Sequence, residues 1–165
     1  MSGGTTAGRA PHGLQRLLLR APVVLYRIGL GWLLGERFLL LSHIGRKSGR
    51  PYQTVLEVVA HERDVGAYVV ASGWGERSDW FQNILQHPSV KIAVGGRRLA
   101  AEARRMPEGE AAAALADYAR RHPVAFRGLA RMMLGEELAL DAEGIARLAA
   151  RVPLVSLHYR AAEEA

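Results

Sequence analysis

Cysteine is absent from the chain, and that absence excludes several chemistries at once. There is no disulfide framework, no thiolate nucleophile and no cysteine-based zinc site, which fits a reducing, cytoplasmic setting. Aromatic residues make up only 7%. The arginines are scattered rather than interleaved with aromatics as a base-stacking groove requires, so no nucleic-acid partner is expected. Arg20 and Arg27 interrupt the one strongly apolar region, leaving no run near the ~20 residues that a membrane-spanning helix needs. A small-residue cleavage site after a compact apolar core is missing too, so no secretory signal is expected. His12, His43, His61, His87, His122 and His158 fall at no spacing typical of metal ligation, and no metal is expected. No Gly-x-Ser-x-Gly elbow and no carboxylate pair in an apolar setting occurs, so no catalytic residue is assigned.

What is present is positive charge. The formal charge is +6 and the isoelectric point near 10.3 over 165 residues, a balance that favours an anionic partner. Three of the cations fall together in one stretch, Phe38 to Thr54. Phe38 to Ile44 is a short apolar run that reads as a strand covered on both faces. Gly45 and Gly49 then bracket Arg46, Lys47 and Ser48, and both glycines are expected to supply the positive φ of a tight reversal. Such a turn, with Arg50 behind it, presents N–H groups, a hydroxyl and three cations. It suits a phosphate or carboxylate, or else a solvated hairpin tip whose charges guard an edge. His43, just before the turn, is placed to touch whatever binds there.

Residues 1–13 read as a disordered N-terminus, residues 14–36 as an amphipathic helical segment and residues 37–160 as a barrel domain. On the helical segment Leu14, Leu17, Leu18, Ala21, Leu25, Ile28 and Trp32 share one side and Arg16, Arg20 and Arg27 the other. That pattern leaves room for a peripheral contact with the inner face of the cell membrane through residues 14–35. Beyond the basic hairpin, strands are expected at Gln53–Ala60, Ala67–Ser72, Val90–Val94, Arg98–Arg104 and Leu154–Tyr159. Gly95-Gly96 marks a two-residue hairpin. A short helix is expected over Trp80–His87, with Trp80, Phe81, Ile84 and Leu85 as its apolar stripe. Three more follow from Pro107 to Arg121, from Val124 to Leu134 and from Ala142 to Ala150, the last capped by Asp141. Six hairpin-linked strands favour a closed antiparallel barrel, with a helical insert before the last strand.

A second candidate region is Ala71-Ser72-Gly73-Trp74-Gly75 followed by Asp79-Trp80-Phe81: a strand end, a glycine loop and a helix start. Its glycines let a flat ring approach the backbone, Ser72 and loop N–H groups can bond a ring edge, and Trp74 or Trp80 can wall the ring in; the alternative is that Trp80 is simply core and the loop simply flexible. A protein with no evident acid, base or nucleophile can borrow its chemistry from such a ligand.

These motifs, taken in order from Gly45-Arg46-Lys47-Ser48-Gly49-Arg50-Pro51 through Ala71–Gly75, Ser78–Phe81, Asn83, His87-Pro88 and the Gly-Gly-Arg hairpin to Val152–Leu157, resemble the deazaflavin (coenzyme F420)-dependent nitroreductase and quinone reductase family. That family lies within the split β-barrel, flavin-binding superfamily. The resemblance implies an α+β, mainly β protein built on a six-stranded antiparallel split barrel of the FMN-binding type. It implies hydride transfer from the reduced deazaflavin to a quinone, nitroaromatic or similar electrophile, with FMN as the alternative cofactor and a non-catalytic cofactor or lipid carrier as the alternative role. Carried over residue by residue, Arg46, Lys47, Ser48 and Gly49, with Arg50 and Pro51, hold the anionic side of the coenzyme. Ala71, Ser72 and Gly73 line the ring edge, with Trp74, Asp79, Trp80 and Phe81 around it. The chain departs from better-known members at Tyr52, where they carry a further basic residue, and at Asp79, where they carry methionine. A homodimer is also compatible with the resemblance.

Overall fold

The computed structural model describes residues 35–160. The expected helix over residues 14–36 therefore lies outside them, apart from Gly35 and Glu36, which form a turn; so do the two tails. Six strands, β1 (Phe38–Ile44), β2 (Pro51–Glu62), β3 (Ala67–Ala71), β4 (Ser89–Val94), β5 (Arg97–Arg105) and β6 (Leu154–Tyr159), close into a barrel in the order β1-β2-β3-β6-β5-β4. Every pairing is antiparallel. Among the described residues four α-helices accompany the barrel: α1 (Asp79–Gln86), α2 (Glu108–Arg121), α3 (Pro123–Leu134) and α4 (Ala142–Ala149). This is the expected six-stranded split barrel with a helical insert before its last strand.

Two apolar clusters flank the barrel wall. Leu39, Leu41, Leu56, Tyr68, Val70, Ile92, Val155 and Leu157 fill the interior, together with Trp80, Phe81 and Ile84 of α1. Val59, Val69, Leu115, Phe126, Leu148 and Leu154 form the outer cluster beneath α2, α3 and α4. Side chains alternate between the faces of a strand, so β3 gives Tyr68 and Val70 to the interior and Val69 to the helices. That double burial is why it reads as an uninterrupted apolar run. In β2 the register shifts between Val58 and Ala60, and this bulge leaves Val59 against the helices while Val58 packs on the interior cluster.

Local chemistry explains the connections. Gly95 and Gly96 have φ of 54° and 79°, the paired positive values of a two-residue hairpin. Asp141 Oδ1 accepts from the Gly144 N–H at 2.8 Å and caps α4. Two expectations are corrected. Leu85 is 48% exposed, because the short α1 turns only Trp80, Phe81, Asn83 and Ile84 inward. Gly45 does not have a positive φ; what a side chain there would meet is the Tyr52 ring and Ser48 Oγ, each 2.6 Å from a Cβ, so these side chains would have to shift.

The barrel has chemically distinct ends. Where β1 begins, the Glu36 carboxylate accepts from Arg97 (3.0 Å), Arg63 (3.2 Å) and the Tyr68 hydroxyl (3.4 Å) and lies 3.2 Å from His61 Nδ1. Burial pushes the Glu36 pKa upward, but the His61 hydrogen bond and the charges of His61, Arg63 and Arg97 outweigh it and hold the group below 4.5. Where β1 ends, ~20 Å away by strand rise, lies the basic turn.

Candidate functional site

The turn from Gly45 to Arg50 is closed by the Gly45 N–H to the Arg50 carbonyl (2.8 Å) and the Gly49 N–H to the Gly45 carbonyl (2.9 Å), with Gly49 at φ 66°. It faces the loop after β3 and the start of α1. Between them is a cleft of about 650 Å³, within the size range of small-molecule and cofactor sites. Arg46, Lys47, Ser48, Trp74, Asp79 and Trp80 line it. The two stretches singled out in the sequence thus meet at one site, although 26 positions separate Ser48 from Trp74 in the numbering.

The remaining candidates lie nearby but do not line the cleft. Gly49, Arg50 and Pro51 complete the turn and are exposed. Ala71 packs on the outer cluster, and Gly73 approaches Met132 so closely that a Cβ would sit 2.8 Å from its methyl carbon. Phe81 is fully buried in the barrel, beneath the Arg105 guanidinium at 5.6 Å. Ser72 is fully buried as well. Its Oγ donates to the Gly75 carbonyl at 2.7 Å and lies 2.9 Å from Ser78 Oγ, so it ties the loop to the helix start.

Arg46 folds down onto α1. Its backbone N–H and its Nη1 both donate to Asn83 Oδ1, at 3.0 and 2.9 Å, and its Nη2 lies 3.2 Å from Asp79 Oδ1. The guanidinium thereby offsets the one carboxylate among the described residues that line the cleft. Lys47 and Arg50, by contrast, have no ion-pair partner among the described residues. Ser48 Oγ accepts from the Arg50 N–H and lies 3.2 Å from the Tyr52 hydroxyl.

Several lining residues escaped the list of candidates: Arg77, Tyr52, Gln53, Thr54, Ser78 and Asn83. Arg77 adds a third cation beside Arg46 and Lys47, and its only signal was its place in a polar loop. Tyr52 and Thr54 enter through the β1–β2 register, which sets them opposite His43 and Leu41. His43, flagged for its position, also lines the cleft. It is 5% exposed, its ring stacks on Tyr52 at 6.1 Å, and its Nδ1 lies 3.2 Å from Asn83 Nδ2. Burial pushes its pKa below the ordinary 6.5, and the Asp79 charge opposes this only in part.

No group of three or more potential metal ligands occurs among the described residues, and none of their helices is long and apolar enough to cross a membrane.

The chain is similar to known proteins in both sequence and fold. A Mycobacterium tuberculosis protein named for F420H(2)-dependent quinone reductases is 31% identical over 72 residues. The match covers 44% of this chain and spans 60% of that relative's length. Among solved structures, an F420-H2 dependent reductase superposes with a TM-score of 0.52 at 17% identity, covering 74% of this chain and 95% of its own. A pyridoxamine 5'-phosphate oxidase-related, FMN-binding protein of Nostoc punctiforme superposes with a TM-score of 0.51 at 15% identity, covering 90% and 81%. At these identities the two structures establish the shared barrel. The model of the F420H(2)-dependent quinone reductase family matches residues 22–132, and the chain belongs to that family.

Proposed function

We propose that the cleft binds coenzyme F420 and that the protein reduces a quinone, or a similar electrophile such as a nitroaromatic, with the reduced coenzyme. The observation that carries this reading is the meeting of the basic turn and the Trp74–Trp80 loop on one cleft. The donor set fits such a ligand. Lys47, Arg50 and Arg77 are exposed cations at and beside the rim, suited to a phosphate and a polycarboxylate tail, each charge-assisted bond being worth roughly 1.5–3 kcal/mol. Trp74 and the buried Trp80 offer flat apolar surfaces for a ring.

The reduced deazaflavin supplies the hydride when bound. The chain's own residues then have to orient the ring, hold its anionic side and limit water at the reacting face, rather than titrate. Arg46 keeps the Asp79 carboxylate from repelling an anion. An apolar shoulder of Trp74 (72% exposed) and Met132 (49% exposed) beside the loop suits a lipophilic acceptor. Reduction of a quinone by a hydride takes up one further proton, which solvent can provide.

The test is anaerobic mixing of the protein with reduced coenzyme and a panel of quinones and nitroaromatics, following reappearance of the oxidised deazaflavin. Turnover that requires both coenzyme and acceptor is expected. Binding without turnover across the panel would make the protein a carrier, and selective binding of FMN would replace the cofactor.

A further inference from the structure

We propose that the His43 Nε2–H is a fixed, neutral hydrogen-bond donor at the floor of the cleft, set in that tautomer by Asn83, and that it bonds an acceptor oxygen on the ring of the bound coenzyme. The proposal rests on the reading of the cleft as the coenzyme site.

The orientation of Asn83 is decided by Arg46. Two donors, the Arg46 N–H and Nη1, converge on one side-chain atom of Asn83 at 3.0 and 2.9 Å, and only the amide oxygen can accept both. The other amide atom is therefore the NH2, and it faces His43 Nδ1 at 3.2 Å. An NH2 group can only donate, so Nδ1 accepts and the ring proton sits on Nε2. Asn83 is itself 4% exposed, which leaves little room for an alternative arrangement.

The surroundings keep the imidazole uncharged. Asp79 is the acid that faces it from α1, but Arg46 from the turn is paired with that carboxylate at 3.2 Å. Tyr52 of β2 covers one ring face. Lys91 of β4 pairs with Ser42, the neighbour on the opposite face of β1. Burial lowers the His43 pKa, in the same direction. Among the described residues His43 Nε2 has no hydrogen-bond partner, and the cleft is the space the ring lines.

A neutral imidazole near neutral pH holds its remaining proton, so His43 donates a hydrogen bond and does not supply the proton of the reaction. Its depth selects the ligand atom. The exposed cations outside attract the phosphate and carboxylates, whereas a buried neutral donor in the cleft that Trp80 also lines matches a ring carbonyl or ring oxygen.

Two measurements on the full chain test this. Ring ¹⁵N NMR of the coenzyme-free protein between about pH 5.5 and 8 is expected to show His43 in the Nε2-protonated neutral form over most of that range. In Asn83→Asp a carboxylate still accepts both Arg46 donors but faces Nδ1 as an acceptor, so the ring is expected to charge at higher pH. Fluorescence titration then compares coenzyme F420 with its phosphate-free deazaflavin riboside. His43→Phe is expected to weaken both probes equally, by about tenfold, while His43→Gln, which keeps an N–H, loses less. Lys47→Ala is expected to weaken only the phosphorylated probe. A cationic or Nδ1-protonated His43 in the wild type overturns the tautomer, and unchanged binding of the riboside by His43→Phe overturns the contact. If the wild type binds neither probe, the parent reading fails and the ring contact with it, and the NMR result separately decides the tautomer.

Discussion

Removing the Arg46 side chain separates two roles that its charge alone would confuse: direct capture of an anion and bracing of the site. The guanidinium is 22% exposed and bonds Asn83 Oδ1 at 2.9 Å, whereas its ion-pair partner Asp79 is 87% exposed. The exposed pair contributes at most about 1 kcal/mol. The charge-assisted bond to the buried amide is worth about 1.5–3 kcal/mol. Arg46→Ala leaves the backbone N–H still donating to Asn83 Oδ1 at 3.0 Å, so the amide is not orphaned and the combined cost falls near 2 kcal/mol. For a chain of this size that lowers Tm by about 4–8 °C. Lys47→Ala removes an exposed side chain with no ion pair among the described residues, and should leave the free protein within about 0.5 kcal/mol of wild type. Urea and thermal unfolding of the coenzyme-free proteins, followed by circular dichroism, measure both. Coenzyme titration at two salt concentrations completes the comparison, because the Lys47 effect should shrink as salt rises. If Arg46→Ala were as stable as wild type yet lost as much affinity as Lys47→Ala, the bracing role would be wrong.

Other perturbations have distinct signatures. Gly144→Ala places a Cβ 2.2 Å from the Ala139 carbonyl oxygen, a backbone atom that cannot swing aside, so α4 must shift at a cost of at least about 2 kcal/mol in urea unfolding; no loss would contradict the packing there. Ser72→Ala leaves the buried Gly75 carbonyl with only the Ser78 N–H at 3.4 Å in place of its 2.7 Å donor and should cost about 1 kcal/mol, with coenzyme affinity falling as the loop loosens. Stability should decline on the acid side in two steps. His43 is held neutral in the fold below its ordinary 6.5, so the unfolded chain takes up the proton first and stability falls as pH drops through 6.5 toward the lower folded value. Glu36 has a folded pKa below its ordinary 4.5, so its contribution is intact above 4.5 and is lost as pH falls further, through the folded value. His43→Gln should flatten the first step and Glu36→Gln the second; a wild type whose urea midpoint is flat from about pH 7 to 5 would refute the first.

Strand periodicity, the Gly95-Gly96 hairpin and the Asp141 cap were legible because each depends on neighbours in sequence. The basic turn was legible for the same reason, as a cluster of cations between glycines. Its internal wiring was not. That Arg46 bends onto Asn83, 37 positions away, and that Asn83 then fixes His43, 40 positions away, depend on how α1 docks against the end of β1. Gly45 was read for its backbone freedom, whereas what a side chain there would meet is the Tyr52 ring, a contact set by strand register. Leu85 looked like core because α1 is too short for its wheel to define a narrow face. Ser72 and Arg77 sit in one loop, and nothing local tells that the first locks it from inside while the second lines the cleft.

The most direct test of the central claim is a fluorescence titration of coenzyme F420 into the wild type and into Lys47→Ala/Arg77→Ala, run beside FMN. The account predicts selective binding of the deazaflavin, weakened at least about tenfold in the double variant, with the unfolding transition of the free protein unchanged. Preference for FMN, or F420 affinity indifferent to the loss of both cations, would contradict it.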